Sequence, residues 1–105
     1  MKLLTKEIRD KLPKIREQEE KGEDAIVHVK FFTPWSHWTW YGTEGQPEEN
    51  GDFLFFGLVD GMEKEIGYWT LNELESVKGP LGLRIERDKF WTPKSLNKIA
   101  PELFD

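Results

Sequence analysis

Apolar residues at Leu4, Ile8, Leu12 and Ile15 are spaced four, four and three apart. That spacing lines one face of a helix, and Thr5 stands where an N-cap would. Pro13 falls inside the stripe, so a kink or two short helices are expected. The polar run that follows, with Gly22 near its end, predicts a fraying helix end and a flexible acidic loop over 17–24. The pattern then changes. Residues 25–32 hold the β-branched Ile26, Val27 and Val29 and then Phe31 and Phe32, which reads as a strand ended by Thr33-Pro34. Residues 38–42 read as a second strand, dense in aromatics. Residues 43–52 (Thr-Glu-Gly-Gln-Pro-Glu-Glu-Asn-Gly-Asp) carry loop signals throughout and predict a second flexible acidic loop.

A third strand over 53–59 opens with Phe53-Leu54-Phe55-Phe56, apolar on both faces and therefore central. Asp60-Gly61 predicts a tight type I′ turn, with positive φ at both central residues, and 63–69 as the antiparallel partner. Thr70-Leu71-Asn72-Glu73 has the form of a capping box and opens a short helix that Gly79-Pro80 stops. Residues 83–86 predict a short edge strand. Thr92-Pro93 predicts an N-cap and first-turn proline for a last helix that buries Leu96 and Ile99 and closes at Pro101. Strands grouped between terminal helices argue an α+β fold. The expected architecture is an antiparallel sheet of four to five strands, with an N-terminal helix, a short helix after the central hairpin and a C-terminal helix.

The chain has 105 residues, the size of one domain, and we expect a single domain over 1–105. Its 13% aromatic share changes the picture, because each buried aromatic removes roughly 150–250 Å² from water. A chain this short can then build a core without staples. It has no cysteine, which removes disulfides, thiolate catalysis and thiolate metal sites and fits a reducing compartment. The opening residues turn charged at once, without the apolar run of a signal peptide, and no stretch is apolar enough to span a membrane. The expected location is cytoplasmic. Net charge is −5, unevenly spread: seven Lys/Arg against five Asp/Glu over 1–21, three against eleven over 22–80, and five against four over 81–105. An acidic middle argues against a dedicated duplex-DNA binder, which carries a strong basic footprint.

Four segments resemble a known family: Val27-His28-Val29-Lys30-Phe31-Phe32-Thr33-Pro34, Trp38-Thr39-Trp40-Tyr41, Phe56-Gly57-Leu58-Val59, and Gly79-Pro80-Leu81-Gly82-Leu83-Arg84-Ile85-Glu86-Arg87-Asp88. They are similar to a family of small bacterial proteins catalogued as a domain of unknown function, whose members often sit on plasmids and other mobile elements. The likeness runs over nearly the whole chain, including the opening Lys2-Leu3-Leu4-Thr5. It carries no catalytic residue across. What it implies is a setting in the accessory functions of mobile DNA, such as anti-restriction, anti-CRISPR or replication support.

The aromatic block over 31–41 is the main candidate site. Strand alternation puts Trp38 and Trp40 on one face and His37, Thr39 and Tyr41 on the other. If exposed, the tryptophan pair forms a stacking platform for unpaired bases, with Lys30 near enough to meet a phosphate. If covered, the pair is core, which is the commoner fate of aromatics. Trp35, beside Pro34 in a turn, is expected to be the most exposed of the set and a contact for a partner. Arg84 and Arg87 offer forks for phosphate or carboxylate recognition, against the plainer role of closing a sheet edge by ion pairing. His28 would need Glu86 or Asp88 in one cleft to act as a general base. No Gly-rich phosphate loop, nucleophile elbow or metal-ligand spacing is present, so no cofactor and no metal are expected. The carboxylates Glu44, Glu48, Glu49, Asp52, Asp60, Glu63 and Glu65 could imitate a row of phosphates, or simply solubilise the chain. The reading is a non-enzymatic binding protein with a protein partner, monomer or dimer. A single-stranded nucleic-acid binder is the first alternative and a small hydrolase or nuclease the second.

Overall fold

The computed structural model describes residues 1–104, and its element order is α1 (Lys6–Lys11), β1 (Ile26–Val27), β2 (Val29–Phe32), β3 (Thr39–Pro47), β4 (Phe53–Asp60), β5 (Lys64–Thr70), α2 (Leu71–Ser76), β6 (Glu86–Arg87), β7 (Lys94–Ser95) and α3 (Leu96–Ile99). Helix α1 starts where Thr5 Oγ1 accepts the Ile8 N–H at 3.3 Å. It stops at Lys11, because Leu12 precedes proline and takes an extended ψ of 125°. Strands β2 to β6 form one antiparallel sheet in the order β5-β4-β3-β2-β6, and β1 pairs separately with β7. The fold is α+β, as expected.

Each face of the main sheet carries a core. On one face Val29, Phe31, Phe53, Phe55 and Trp69 meet Leu3, Leu4, Leu12 and Leu74 from the segments around α1 and α2. Phe55 is the hub, with ring centroids 5.3 Å from Phe31, 5.0 Å from Phe53 and 5.6 Å from Trp69. On the other face Leu58 packs with Ala25, Val27, Leu96 and Ala100. The apolar run of β4 is therefore central, with Phe53 and Phe55 buried on one face and Leu54 and Phe56 half-buried on the other.

Four boundaries differ from expectation. Residues 43–47 are strand, not loop: β3 pairs with β4 from Thr39 to Pro47, with a bulge between Gly42 and Glu44, and only 48–52 turn. The bulge adds an extra residue and turns Glu44 inward. There its carboxylate, 2% exposed, accepts the N–H groups of Arg16 at 2.8 Å and Gln18 at 2.7 Å. Residues 17–24 are not a linker. Gln18 is buried, donates to the carbonyls of Ile26 and Thr43 and accepts the Ile26 N–H, and a 3-10 helix follows over Glu19–Asp24. The predicted strand over 83–86 is displaced to β6, and the last helix begins at Leu96, because Lys94 and Ser95 extend to pair with Val27 and Ile26.

The hairpin at Asp60-Gly61 forms, but for another reason than the expected one. Its loop has three residues, and Gly61 is not among the positive-φ positions. A Cβ on Gly61 would sit 2.3 Å from the Trp38 ring, so the glycine is there for close approach. Helix α2 is capped twice. Thr70 Oγ1 accepts the Glu73 N–H at 3.2 Å, and Asp52 Oδ1 accepts the N–H groups of Asn72 at 3.0 Å and Phe53 at 2.7 Å. Burial pushes the Asp52 carboxyl up, but these bonds and the Thr70 hydroxyl outweigh it and hold the pKa below the ordinary 3.8. A carboxylate depressed in the folded state contributes stability above its unfolded pKa and loses it as pH falls through the folded value. Acid unfolding of Asp52→Asn, followed by circular dichroism, should therefore lose part of the decline that the native chain shows below about pH 4.

Candidate functional site

The structure divides the expected site. Phe31 pairs with Trp40 and Lys30 with Tyr41, so Trp40 and Lys30 leave the sheet on opposite faces. Lys30 lies over the Tyr41 and Trp91 rings, 5.9 and 5.6 Å from their centroids, with its ammonium 3.9 Å from Asp88. Arg84 donates to the Glu75 carbonyl at 3.0 Å. Arg87 is half-buried, and its partners are the main-chain carbonyls of Lys2 and Leu3, not a carboxylate. It ties the N-terminal segment to the β6 edge. None of the three cations lines the groove that the tryptophans form.

Trp35, Trp38 and Trp40 do come together. They line a groove of about 410 Å³ with Thr33, Ser36, Val77 and Lys78. The Trp38 and Trp40 rings are 6.0 Å apart and tilted by 31°. Each ring is half-buried, and Trp40 packs on the core while also lining the groove. Trp35, expected to be the most exposed of the block, is half-buried like Trp38 and Trp40. It too packs on the core, with its ring against Gly79, where a Cβ would come within 2.5 Å. Outside the block, Phe90 is 92% exposed. The groove thus rests on two glycines, Gly61 under Trp38 and Gly79 under Trp35. Reading of the sequence assigned both to turns and did not place Val77 and Lys78 here. Both glycines lie well beyond the aromatic block in sequence, and only the fold shows which ring each one meets. Gly79→Ala should push Trp35 from its seat and cost about 1–3 kcal/mol, read from urea unfolding together with the near-ultraviolet dichroism of the indoles.

The groove's surroundings are mixed in charge. Lys78 is the one cation of its lining, whereas Asp60, Glu63 and Glu65 sit on the β4–β5 hairpin that carries Gly61. Trp40, Val59 and Glu65 lie in one row across three strands. Glu44 has left the acidic row for the interior.

His28 and Asp88 line one cleft of about 420 Å³ with Thr5, Glu7, Lys11 and Lys89. They are not engaged with each other: Asp88 Oδ1 accepts the Phe90 N–H at 2.9 Å, and its other oxygen faces Lys30. Burial, with Lys21 and Lys11 nearby, pushes the His28 imidazole below its usual 6.5. Among the described residues no carboxylate is hydrogen-bonded to the imidazole, so His28 lacks the pairing that general-base catalysis uses. Among the described residues no group of three or more His, Asp or Glu is placed to hold a metal, and no helix is long and apolar enough to cross a membrane.

A five-stranded antiparallel sheet with a short two-stranded companion and an aromatic groove at one end defines an α+β chain built around a meander. A family model described as "Protein of unknown function (DUF2958)" matches residues 3–100. The chain belongs to the DUF2958 family. No curated protein and no solved structure matches it.

Proposed function

We propose that this chain is a non-enzymatic binding protein whose tryptophan groove takes an extended, proline-containing segment of a partner protein. The observation that carries this reading is the convergence of Trp35, Trp38 and Trp40 on one open groove. Such segments are already extended, so little ordering entropy is lost when they dock between aromatic rings. The indole N–H groups of the three tryptophans have no protein acceptor among the described residues, which leaves them free to donate to a ligand's carbonyls. Electrostatics favours a peptide over a nucleic acid. Lys30, Arg84 and Arg87 are engaged elsewhere, and the neighbouring hairpin is acidic. Phosphates would meet repulsion there. The accessory role in mobile DNA rests on the family resemblance.

Titration of intrinsic fluorescence with a panel of proline-rich peptides tests this. A blue shift is expected with the matching peptide and none in Trp38→Ala, with the far-ultraviolet dichroism of that variant unchanged. Silence across the whole panel, with salt-sensitive quenching by a single-stranded oligonucleotide, would overturn it in favour of base stacking.

A further inference from the structure

The two edges of the main sheet differ. The β6 edge is two residues long and is tied to the N-terminal segment through Arg87. The β5 edge is seven residues long, Lys64–Thr70, and pairs with nothing on its outer side among the described residues. Edge strands are usually blunted by proline, bulges or inward charges. Strand β5 has no proline and pairs with β4 without a register shift. In its middle Ile66 is 44% exposed and Tyr68 57% exposed, on the same face. Tyr68 lies 4.8 Å from the half-buried Phe56.

The hydrogen-bonding direction of each β5 residue follows from the turn. The Gly61 N–H donates to the Glu63 carbonyl, so the pairs Val59–Glu65 and Gly57–Gly67 are the bonded ones. The N–H and C=O groups of Glu65, Gly67 and Trp69 therefore point to β4. Those of Ile66 and Tyr68 point outward, unpaired.

We propose that the β5 edge is the contact for a second copy of this chain, joined across a two-fold axis at Gly67. Antiparallel self-pairing about that residue sets Ile66 opposite Tyr68 of the second copy, and Tyr68 opposite its Ile66. The outward groups of both residues then bond reciprocally. Lys64 falls opposite Thr70 and Glu65 opposite Trp69, so no like charges meet and the large apolar side chains do. Gly67 becomes a non-bonded pair with itself, the position where two antiparallel main chains come closest, at about 4.5 Å between Cα atoms. Apart from its chain neighbours, nothing among the described residues lies within 4 Å of where a Gly67 Cβ would stand. No contact within one copy asks for glycine there, although glycine weakens a strand interior. The interface is isologous and closes at two copies.

The mass by sedimentation equilibrium tests the proposal. The native chain should approach twice 12.4 kDa and dissociate on dilution. The double variant Ile66→Lys, Tyr68→Lys sets lysines opposite each other and should run at half that mass. Ile66→Pro removes an outward N–H that β4 does not use, so it should also be monomeric, with unchanged far-ultraviolet dichroism. Amide exchange provides a reading without any variant: the Ile66 and Tyr68 N–H groups should be protected in the native chain. A monomer across the dilution series, a dimer that survives both variants, or Ile66 and Tyr68 amides exchanging at the rate of exposed ones would overturn the proposal.

Discussion

Replacing Glu44 with alanine should lower the unfolding free energy by about 3–5 kcal/mol, since two charge-assisted bonds are lost at about 1.5–3 kcal/mol each. The residue looks expendable in the sequence, an acid among loop formers. In the fold it is buried and receives the main-chain N–H groups of Arg16 and Gln18. Truncation removes both acceptors and leaves two main-chain donors unpaired, the one on Gln18 in a buried position. Gln18 adds to the effect, because its amide holds the carbonyls of Ile26 and Thr43 in the same network. Glu44→Gln retains an acceptor oxygen and should cost less than half as much. Urea unfolding decides: a lower midpoint at unchanged slope marks lost stability without a change in surface exposed. A midpoint for Glu44→Ala within error of the native chain would show that the segment over 15–18 is held by packing alone.

Phe55→Ala should have an effect of similar size, about 3–5 kcal/mol, by loss of apolar burial and by the cavity left behind. Phe55 is fully buried and touches Phe31, Phe53 and Trp69 from three directions. Those rings sit on strands β2, β4 and β5, whose backbones are fixed by the ladder, so they cannot close the gap. The neighbouring Phe56, on the opposite face and half-buried against Tyr68, should tolerate the same truncation better. Thermal or urea unfolding of the pair of variants separates the two faces. Equal losses at 55 and 56 would contradict the assignment of β4 as central with one face closed and the other partly open.

The sequence was legible where local rules and tertiary structure agree. The Thr5 cap, an interruption of the helix at Pro13, the apolar run of β4 and the Thr70 cap of α2 all read correctly, because each depends on neighbours along the chain; that the helix would end outright at Lys11 was not read. Residues 43–47 did not. Thr43, Glu44, Gly45, Gln46 and Pro47 are turn formers by type, but here each serves a distant contact. Gly45 makes room for the Phe53 ring and for Leu12, its N–H donates to the Pro13 carbonyl at 2.9 Å, and Gln46 Oε1 accepts the Ile15 N–H at 3.3 Å. The helix-to-sheet join that these residues form has no local signature. The same holds for the groove. Its three tryptophans were visible as a block, but their seats on Gly61 and Gly79 lie 23 and 44 residues further along for Trp38 and Trp35. Lys30 was drawn into that site by proximity in sequence, and Arg84 and Arg87 by sign of charge; the register that sets Phe31 opposite Trp40 puts Lys30 on the other face.

The way the N-terminal segment is held has a kinetic consequence. Strands β3, β4 and β5 pair through two short connections and can close with little loop entropy. Arg87 reaches Lys2 and Leu3 across 84 or more residues, and β1 meets β7 across a gap nearly as wide. Contacts of such separation are costly to form before the meander exists to reward them. The meander is then the folding nucleus, and the closure of the ends is a late event. In a chevron plot, loss of Phe55 from the nucleus should slow the folding arm, whereas loss of the Arg87 tie should leave it in place and steepen escape by accelerating the unfolding arm.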